Sequence, residues 1–114
     1  KVQIEDLRET WSVMGLAGAC VPPAVGESGA AARSEGAWLL RAESALAYAL
    51  GPHADVIALW DASPAPPVTA ARWEAFEIDA GRPRIAGPLA ERFLPQELDL
   101  ERLQGVHFDK GCYP

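Results

Sequence analysis

Residues 37–50, which read AWLLRAESALAYAL, decide the predicted fold. Ala37–Arg41 and Ala45–Leu50 are apolar runs of strand length, and the link Ala42-Glu43-Ser44 between them is short enough for a hairpin. Strands joined in this way lie antiparallel in one sheet. The alanines in both runs favour helix, which is the argument against this interpretation.

The sequence before the hairpin predicts two further strands, one of them only a candidate. Trp11–Leu16 alternates apolar with small or polar residues, as half-buried strands do, and Val2–Ile4 is a candidate edge strand. The stretch from Ala19 to Val25 could start a helix, but Pro22-Pro23 would interrupt it. Residues 26–36 are small and polar and predict a surface loop.

Two helices are predicted after the hairpin. The first follows Pro52, which suits a first helical turn, and the second has Thr69 as its N-cap and Gly81 as its C-cap. The order of elements predicts an α+β fold with an antiparallel sheet, and a ferredoxin-like split βαβ arrangement is the leading candidate. The predicted parts are a sheet-forming region 1–61, a Pro-rich linker 62–68 and a region 69–114.

Composition excludes several classes of function. The 114 residues carry a formal net charge of −6, which disfavours direct binding to nucleic acid phosphates. No apolar run approaches the roughly 20 residues of a membrane-spanning helix, and the first residues lack the apolar core of a signal peptide. We therefore expect a cytoplasmic protein without membrane contact. Because position 1 is not Met, we expect the chain to begin inside a longer protein.

The two cysteines differ in their surroundings. Cys112 follows Lys110-Gly111 and precedes Tyr113, and a nearby ammonium stabilises the reactive thiolate. The alternative is that Cys112 is an ordinary small apolar residue. Cys20 lies among apolar residues and is interpreted as a packed thiol. Without a CxxC pair or a Cys/His cluster, no metal site is predicted.

Other candidates have competing interpretations. Asp79 falls at the end of a predicted helix, where the dipole disfavours a carboxylate, so it either has a compensating partner or is solvated. His107 with Asp109 could form an acid–base pair, but no nucleophile accompanies them. His53 is interpreted as a surface or capping residue. The four tryptophans are expected in the core.

A family resemblance rests on two segments. Residues 93–100 read FLPQELDL and residues 105–114 read GVHFDKGCYP, which resembles the signature of the YgfZ/GcvT-like folate-binding family. Upstream, residues 73–83 read WEAFEIDAGRP and resemble the W-x-x-x-x-I-E-A-G-x-P of that family. The N-terminal part, from Lys1 to Gly18, also resembles bacterial members.

The resemblance implies a fold and a set of ligands. Family members are similar in fold to the T-protein of the glycine cleavage system, with three domains around a central site for tetrahydrofolate. This chain would supply the middle domain, and the N-terminal domain and the C-terminal β-barrel domain would be absent. The role implied is folate-dependent support of iron-sulfur enzymes, including those that methylthiolate transfer RNA. Such a protein is an accessory factor rather than a turnover enzyme.

Site residues follow from the same resemblance. Cys112 matches the redox-sensitive or cluster-contacting thiol of the family, with Lys110 beside it, and Gly111 and Tyr113 match its neighbours near the cofactor. Asp79 matches a glutamate that contacts the folate pterin in the T-protein, and is one methylene shorter. Two alternatives stay open: a tetrahydrofolate-dependent aminomethyltransferase of the glycine cleavage type, and a scaffold domain whose thiol is inert.

Overall fold

The computed structural model describes residues 2–107, 109 and 111. Strands alternate with short turns in the first half of the chain, and two α-helices follow the last strand. The elements are β1 (Trp11–Ala17), β2 (Ala31–Ser34), β3 (Ala37–Glu43), β4 (Leu46–Pro52), α1 (His53–Asp61) and α2 (Ala70–Asp79). By compactness the chain divides into two units, residues 1–76 and residues 77–114.

The four strands of the first unit form one antiparallel sheet in the order β1-β4-β3-β2. The β3–β4 hairpin of residues 37–50 is confirmed, with Leu40 opposite Tyr48 and Trp38 opposite Leu50. The register shifts between Arg41 and Glu43, where the ladder is irregular. Strand alternation thus overrides the helix preference of the alanines, because Ala37 and Ala49 fill fully buried positions.

The α+β class with an antiparallel sheet is confirmed, but the split βαβ connectivity is not found. Among the described residues, no α-helix connects two strands, and both helices follow β4. Strands β2, β3 and β4 form a meander, and β1 lies beside β4 at its far end. This is the strand order of a Greek key. The link from β1 to β2 contains only short 3₁₀ turns, Gly18–Cys20 and Pro23–Val25, since Pro22-Pro23 prevents a longer helix.

Two local predictions near the start of the chain are wrong. Val2–Ile4 is outside any strand, with Val2 92% and Ile4 93% exposed. Residues 26–36 are not one continuous loop, because β2 lies within them and pairs with β3. The small residues Ala31 and Ala32 conceal this strand from any pattern based on large apolar side chains.

The core lies on one face of the sheet. Its buried members are Met14 from β1, Ala37 and Leu39 from β3, Ala49 from β4, Val56 from α1 and Val25 from the second 3₁₀ turn. Burial alternates along β3, where Ala37 and Leu39 are buried while Trp38 and Leu40 are exposed. The expectation of four core tryptophans is therefore wrong for Trp38 (39% exposed) and for Trp60 of α1 (50% exposed).

The second helix has the predicted caps. Thr69 accepts a hydrogen bond at Oγ1 from the backbone N–H of Arg72 (3.3 Å), as an N-cap does. At the other end, Gly81 has a φ of 64° and donates its N–H to the carbonyl of Ile78 (2.8 Å). A left-handed glycine at this position ends the helix without a Cβ penalty.

The second unit consists mainly of turns beyond the end of α2. Its regular elements are the 3₁₀ turns Gly87–Leu89 and Pro95–Leu98. Asp99 then adopts a left-handed conformation, with a φ of 53°. Leu98 ends the second of these 3₁₀ turns, and Leu100 and Leu103 lie in the turns that follow it.

Candidate functional site

The predicted site residues fall into two groups. Cys112, Lys110 and Tyr113 lie outside the described residues. Asp79 and Gly111 are described, and both are exposed. Among the described residues, no atom lies within 4 Å of a Cβ built on Gly111.

Asp79 is the last residue of α2 and faces solvent. Within the described part of the chain, its carboxylate has no hydrogen bond or ion pair. Of the two interpretations offered by the sequence, the solvated carboxylate therefore applies. An acid at this end of a helix lies beside the partial negative charge of the last carbonyls. The carboxylate oxygens of Asp79 can consequently accept hydrogen bonds from a ligand.

A cleft of about 640 Å³ in the second unit brings Asp79 together with four other charged side chains. Arg82, Glu97, Asp99 and Arg102 line it, together with Ile78, Ala80, Gly81, Pro83 and Leu98. The lining combines carboxylates, which accept hydrogen bonds from a polar heterocycle, with guanidinium groups, which donate hydrogen bonds to it.

Arg102 organises this cleft, and the sequence did not point to it. Its Nη2 donates to the backbone carbonyls of Gly81 (2.8 Å) and Ala80 (3.2 Å), which are left over at the end of α2. Its Nε donates to Asp99 Oδ2 at 3.0 Å. The guanidinium thus holds the Asp79–Gly81 corner against the turn at Asp99. The one sequence signal for this corner was Gly81, which was predicted as the C-cap of the helix.

A second cavity of about 480 Å³ lies in the first unit, and its lining is mainly apolar. We call it the β1 groove. Its lining includes Met14–Ala17 of β1, the aromatic residues Trp60, Trp73 and Phe76, and residues of the 63–70 segment. Cys20, a half-buried free thiol, also lines it, so the prediction of a packed thiol holds only in part. The predicted strand Trp11–Leu16 supplies part of this lining, but no sequence pattern pointed to the groove itself.

Aromatic rings fix one side of the β1 groove. Trp73 meets Tyr48 edge to face, with ring centroids 5.6 Å apart, and meets Phe76 at 6.5 Å. Such arrangements are favourable beyond simple burial. Trp73 is therefore held in one orientation while Trp60 remains half exposed.

The two histidines have different environments. His53, the first residue of α1, is 2.6 Å from Ser12 Oγ at Nδ1 and 2.9 Å from the Glu9 carbonyl at Nε2. It therefore joins the start of α1 to β1 and to the turn before it. Of the two interpretations, the surface residue agrees with its exposure, whereas Pro52 is the N-cap of α1. His107 and Asp109 are both exposed and lie outside any strand, so no strand brings their side chains to one face. In the described residues, no group of three or more His, Cys, Asp or Glu side chains could hold a metal ion.

Comparison with known proteins finds relatives for one part of the chain. A stretch of 42 residues is 50% identical to the tRNA-modifying protein YgfZ of Buchnera aphidicola subsp. Schizaphis graminum. The chain carries a YgfZ-like segment. Stretches of 43 residues are 46% identical to YgfZ of Edwardsiella ictaluri and 44% identical to YgfZ of Cronobacter sakazakii. The resemblance to this family is thereby confirmed.

The YgfZ-like segment is a limited part of both sequences. The matches cover 37% to 38% of this chain and 13% of each relative's own length. No family model matches the chain, and no solved structure matches it. In the described part of the chain, no helix has the length and apolar character needed to cross a membrane.

Proposed function

We propose that this chain is part of a YgfZ-type protein that binds a folate and acts in tRNA modification by supporting iron-sulfur enzymes. The observation that carries the proposal is the sequence match to proteins named for tRNA modification. The same proposal places the chain in the middle domain of a GcvT-like fold, in the cytoplasm, with iron-sulfur enzymes as clients. The relatives do not favour the aminomethyltransferase alternative.

The cleft at Asp79 suits a folate head group. A carboxylate without a partner can accept two hydrogen bonds from the N–H edge of a pterin. Arg102 keeps the Ala80 and Gly81 carbonyls occupied, so the pterin edge would meet the carboxylate rather than these acceptors. When bound, tetrahydrofolate supplies one-carbon or reducing chemistry, and the role of the chain is to orient the pterin.

The second part of the proposal concerns the thiol. Lys110 stabilises the thiolate of Cys112, which acts as a redox or cluster-contacting group, and Gly111 and Tyr113 lie beside the folate. This part is supported by the resemblance of residues 105–114 to the family signature. The proposed protein is an accessory factor, so its activity is measured through its client enzymes.

Folate binding is tested with Asp79→Asn in the full-length protein. Asparagine keeps the shape but replaces one acceptor oxygen with a donor, so titration calorimetry with tetrahydrofolate should show about a tenfold loss of affinity or more. Asp61→Asn is the matched control, because Asp61 is also an exposed acid at the last position of a helix but does not line the cleft. Equal affinities for both variants and the parent protein would refute the pterin contact.

The thiol is tested in a strain that lacks the protein. Full-length Cys112→Ala should fail to restore the activity of iron-sulfur methylthiolating enzymes, while Cys20→Ala should restore it. Full restoration by Cys112→Ala would remove the thiol from the mechanism. Release of ammonia by the purified protein with lipoylated carrier protein and tetrahydrofolate would instead support the transferase alternative.

A further inference from the structure

The outer edge of β1 leaves backbone hydrogen-bonding groups without a strand partner. Among the described residues, β1 pairs with β4 on one side only and ends the sheet on the other. An uncovered strand edge is a template for another extended segment. The β1 groove lies along part of this strand, at Met14–Ala17.

The β1–β4 hydrogen bonds determine which residues point to that edge. The Gly18 N–H donates to the Ala45 carbonyl (2.8 Å), and the His53 N–H donates to the Thr10 carbonyl (3.0 Å). Both bonds continue the β1–β4 register, in which Ser12 faces Gly51 and Met14 faces Ala49. Because hydrogen-bonded pairs alternate in antiparallel ladders, the even-numbered residues bond to β4.

The odd-numbered residues of β1 consequently direct their N–H and C=O groups away from β4. One of these groups already has a partner, because the Trp11 N–H donates to the Leu7 carbonyl at 2.9 Å. The same carbonyl accepts the Thr10 N–H at 3.0 Å, which forms a turn over residues 7–11. The first hydrogen bond of a new strand on this edge is therefore present.

Residues 2–6, which precede this turn, have the alternation of a strand but no strand partner. Val2 and Ile4 are almost fully exposed, while polar residues occupy positions 3 and 5. If the ladder continues from the Leu7–Trp11 pair, Glu5 lies opposite Val13 and Gln3 opposite Gly15. Ile4 then lies opposite Met14, and Val2 opposite Leu16.

This register gives each side chain a suitable face. Directly opposite residues share a face of the sheet, so Ile4 and Val2 would join Met14 and Leu16 on the core side. Met14 is a core residue, and Leu16 packs against the core while it also lines the β1 groove. The polar residues at positions 3 and 5 would lie on the opposite face.

We propose that Val2–Leu7 is the occupant of the β1 edge, where it adds a fifth antiparallel strand and places Val2 and Ile4 in the β1 groove. In the structure the turn over residues 7–11 is formed, and residues 2–6 lie outside any strand. Residues of both β1 and the 63–70 stretch line the β1 groove, so an extended segment beside β1 would contact both. A β1 strand of a second copy would bring its own flanking helices into the same space.

Disulfide trapping tests the register. In a chain with Cys20→Ala and Cys112→Ala, the pair V2C/L16C should form an intramolecular disulfide to more than about four-fifths on mild oxidation with oxidised glutathione. Directly opposite residues that are not hydrogen-bonded have Cα atoms about 4.5 Å apart, which is within disulfide range. The matched control is Q3C/L16C, whose residue 3 side chain would lie on the opposite face. Failure of V2C/L16C, or equal trapping of both pairs, would overturn the proposal.

Amide exchange gives an independent measurement that needs no cysteine. When the fifth strand is paired with β1, the amides of Val13 and Gly15 are hydrogen-bonded. Deletion of residues 1–6 should therefore accelerate the hydrogen exchange of these two amides, measured by NMR, at least tenfold. The Met14 amide, which faces β4, serves as the control and should change less than twofold. Fast exchange of Val13 and Gly15 in the undeleted chain would show that the strand does not form. Neither result depends on folate binding.

Discussion

The indole ring of Trp73 occupies the space above Gly15 that a side chain would need. A Cβ built on Gly15 would lie 2.5 Å from Cζ3 of this ring, closer than van der Waals contact permits. Because the ring also meets Tyr48 and Phe76, it cannot shift without loss of these contacts. Glycine is therefore required at position 15 by the close approach of α2 to β1.

Gly15→Ala should lower the free energy of unfolding by about 1–3 kcal/mol, the usual cost of overpacking. Chemical denaturation of the parent and variant chains measures the change. The double variant G15A/W73L supplies the control, because the smaller leucine leaves room for the added methyl group. In the Trp73→Leu background, G15A should cost less than half as much. An equal cost in both backgrounds would show that the ring is not the cause.

The N-cap of α2 predicts a second stability effect. Thr69→Ala removes the oxygen that accepts the Arg72 N–H, and should cost about 1 kcal/mol in thermal or chemical unfolding. Thr69→Ser keeps this oxygen and should cost less than about half of that. If serine and alanine are equally destabilising, the methyl group of Thr69, rather than its hydroxyl, stabilises the helix.

The Asp6–Arg8 pair should give a measurable pH effect at the turn before β1. The side-chain hydrogen bonds from Arg8, followed by its backbone N–H, hold the pKa of Asp6 below its ordinary value. A lowered pKa in the folded chain means that the ionised form stabilises the turn. This contribution is present above the unfolded pKa and is lost as the pH falls through the lower, folded pKa.

A ¹³C NMR titration of the Asp6 carboxyl checks this pH effect. Arg8→Ala should return the pKa of Asp6 toward its ordinary value, and added salt should do so in part because both groups are exposed. Arg33→Ala serves as the control, since Arg33 lies over the Trp38 ring and has no contact with Asp6. An Asp6 pKa that is unchanged by R8A would contradict the pairing.

The contacts of His53 predict its neutral tautomer. A backbone carbonyl can only accept, so Nε2 carries the proton toward Glu9 and Nδ1 accepts from the Ser12 hydroxyl. The ¹⁵N shifts of the neutral ring should therefore show a protonated Nε2. Ser12→Ala should cost about 0.5–1.5 kcal/mol of unfolding free energy. A protonated Nδ1 in the neutral ring would contradict this assignment.

The sequence predicted those elements whose signals are local. The 37–50 hairpin, the N-cap Thr69 and the C-cap Gly81 each depend on a few neighbouring residues, and all three are confirmed. The strand β2 was missed because its side chains are small. The strand order was missed because pairing of β1 with β4 is a long-range choice that no local pattern encodes.

In the candidate site, too, the residue that belongs to a local sequence motif was predicted, and the residue that acts through a long-range contact was not. Asp79 was found through a motif, and its lack of a partner agrees with one of the two interpretations made from helix electrostatics. Arg102 was not found, because its contact with Gly81 joins positions that no periodicity relates. The roles of Cys112, Lys110, Gly111 and Tyr113 remain predictions.

The late position of β4 in the chain has a kinetic consequence for β1. Strands β2, β3 and β4 follow one another and can zip together through neighbouring turns, whereas Trp11 must find Pro52 and Ala17 must find Leu46. Closing so large a loop carries an entropy cost before any contact compensates it. During synthesis, β1 therefore waits until β4 has been made. In that interval Met14 and Leu16 have no sheet to pack against, which makes this segment the expected point of misfolding or of chaperone binding.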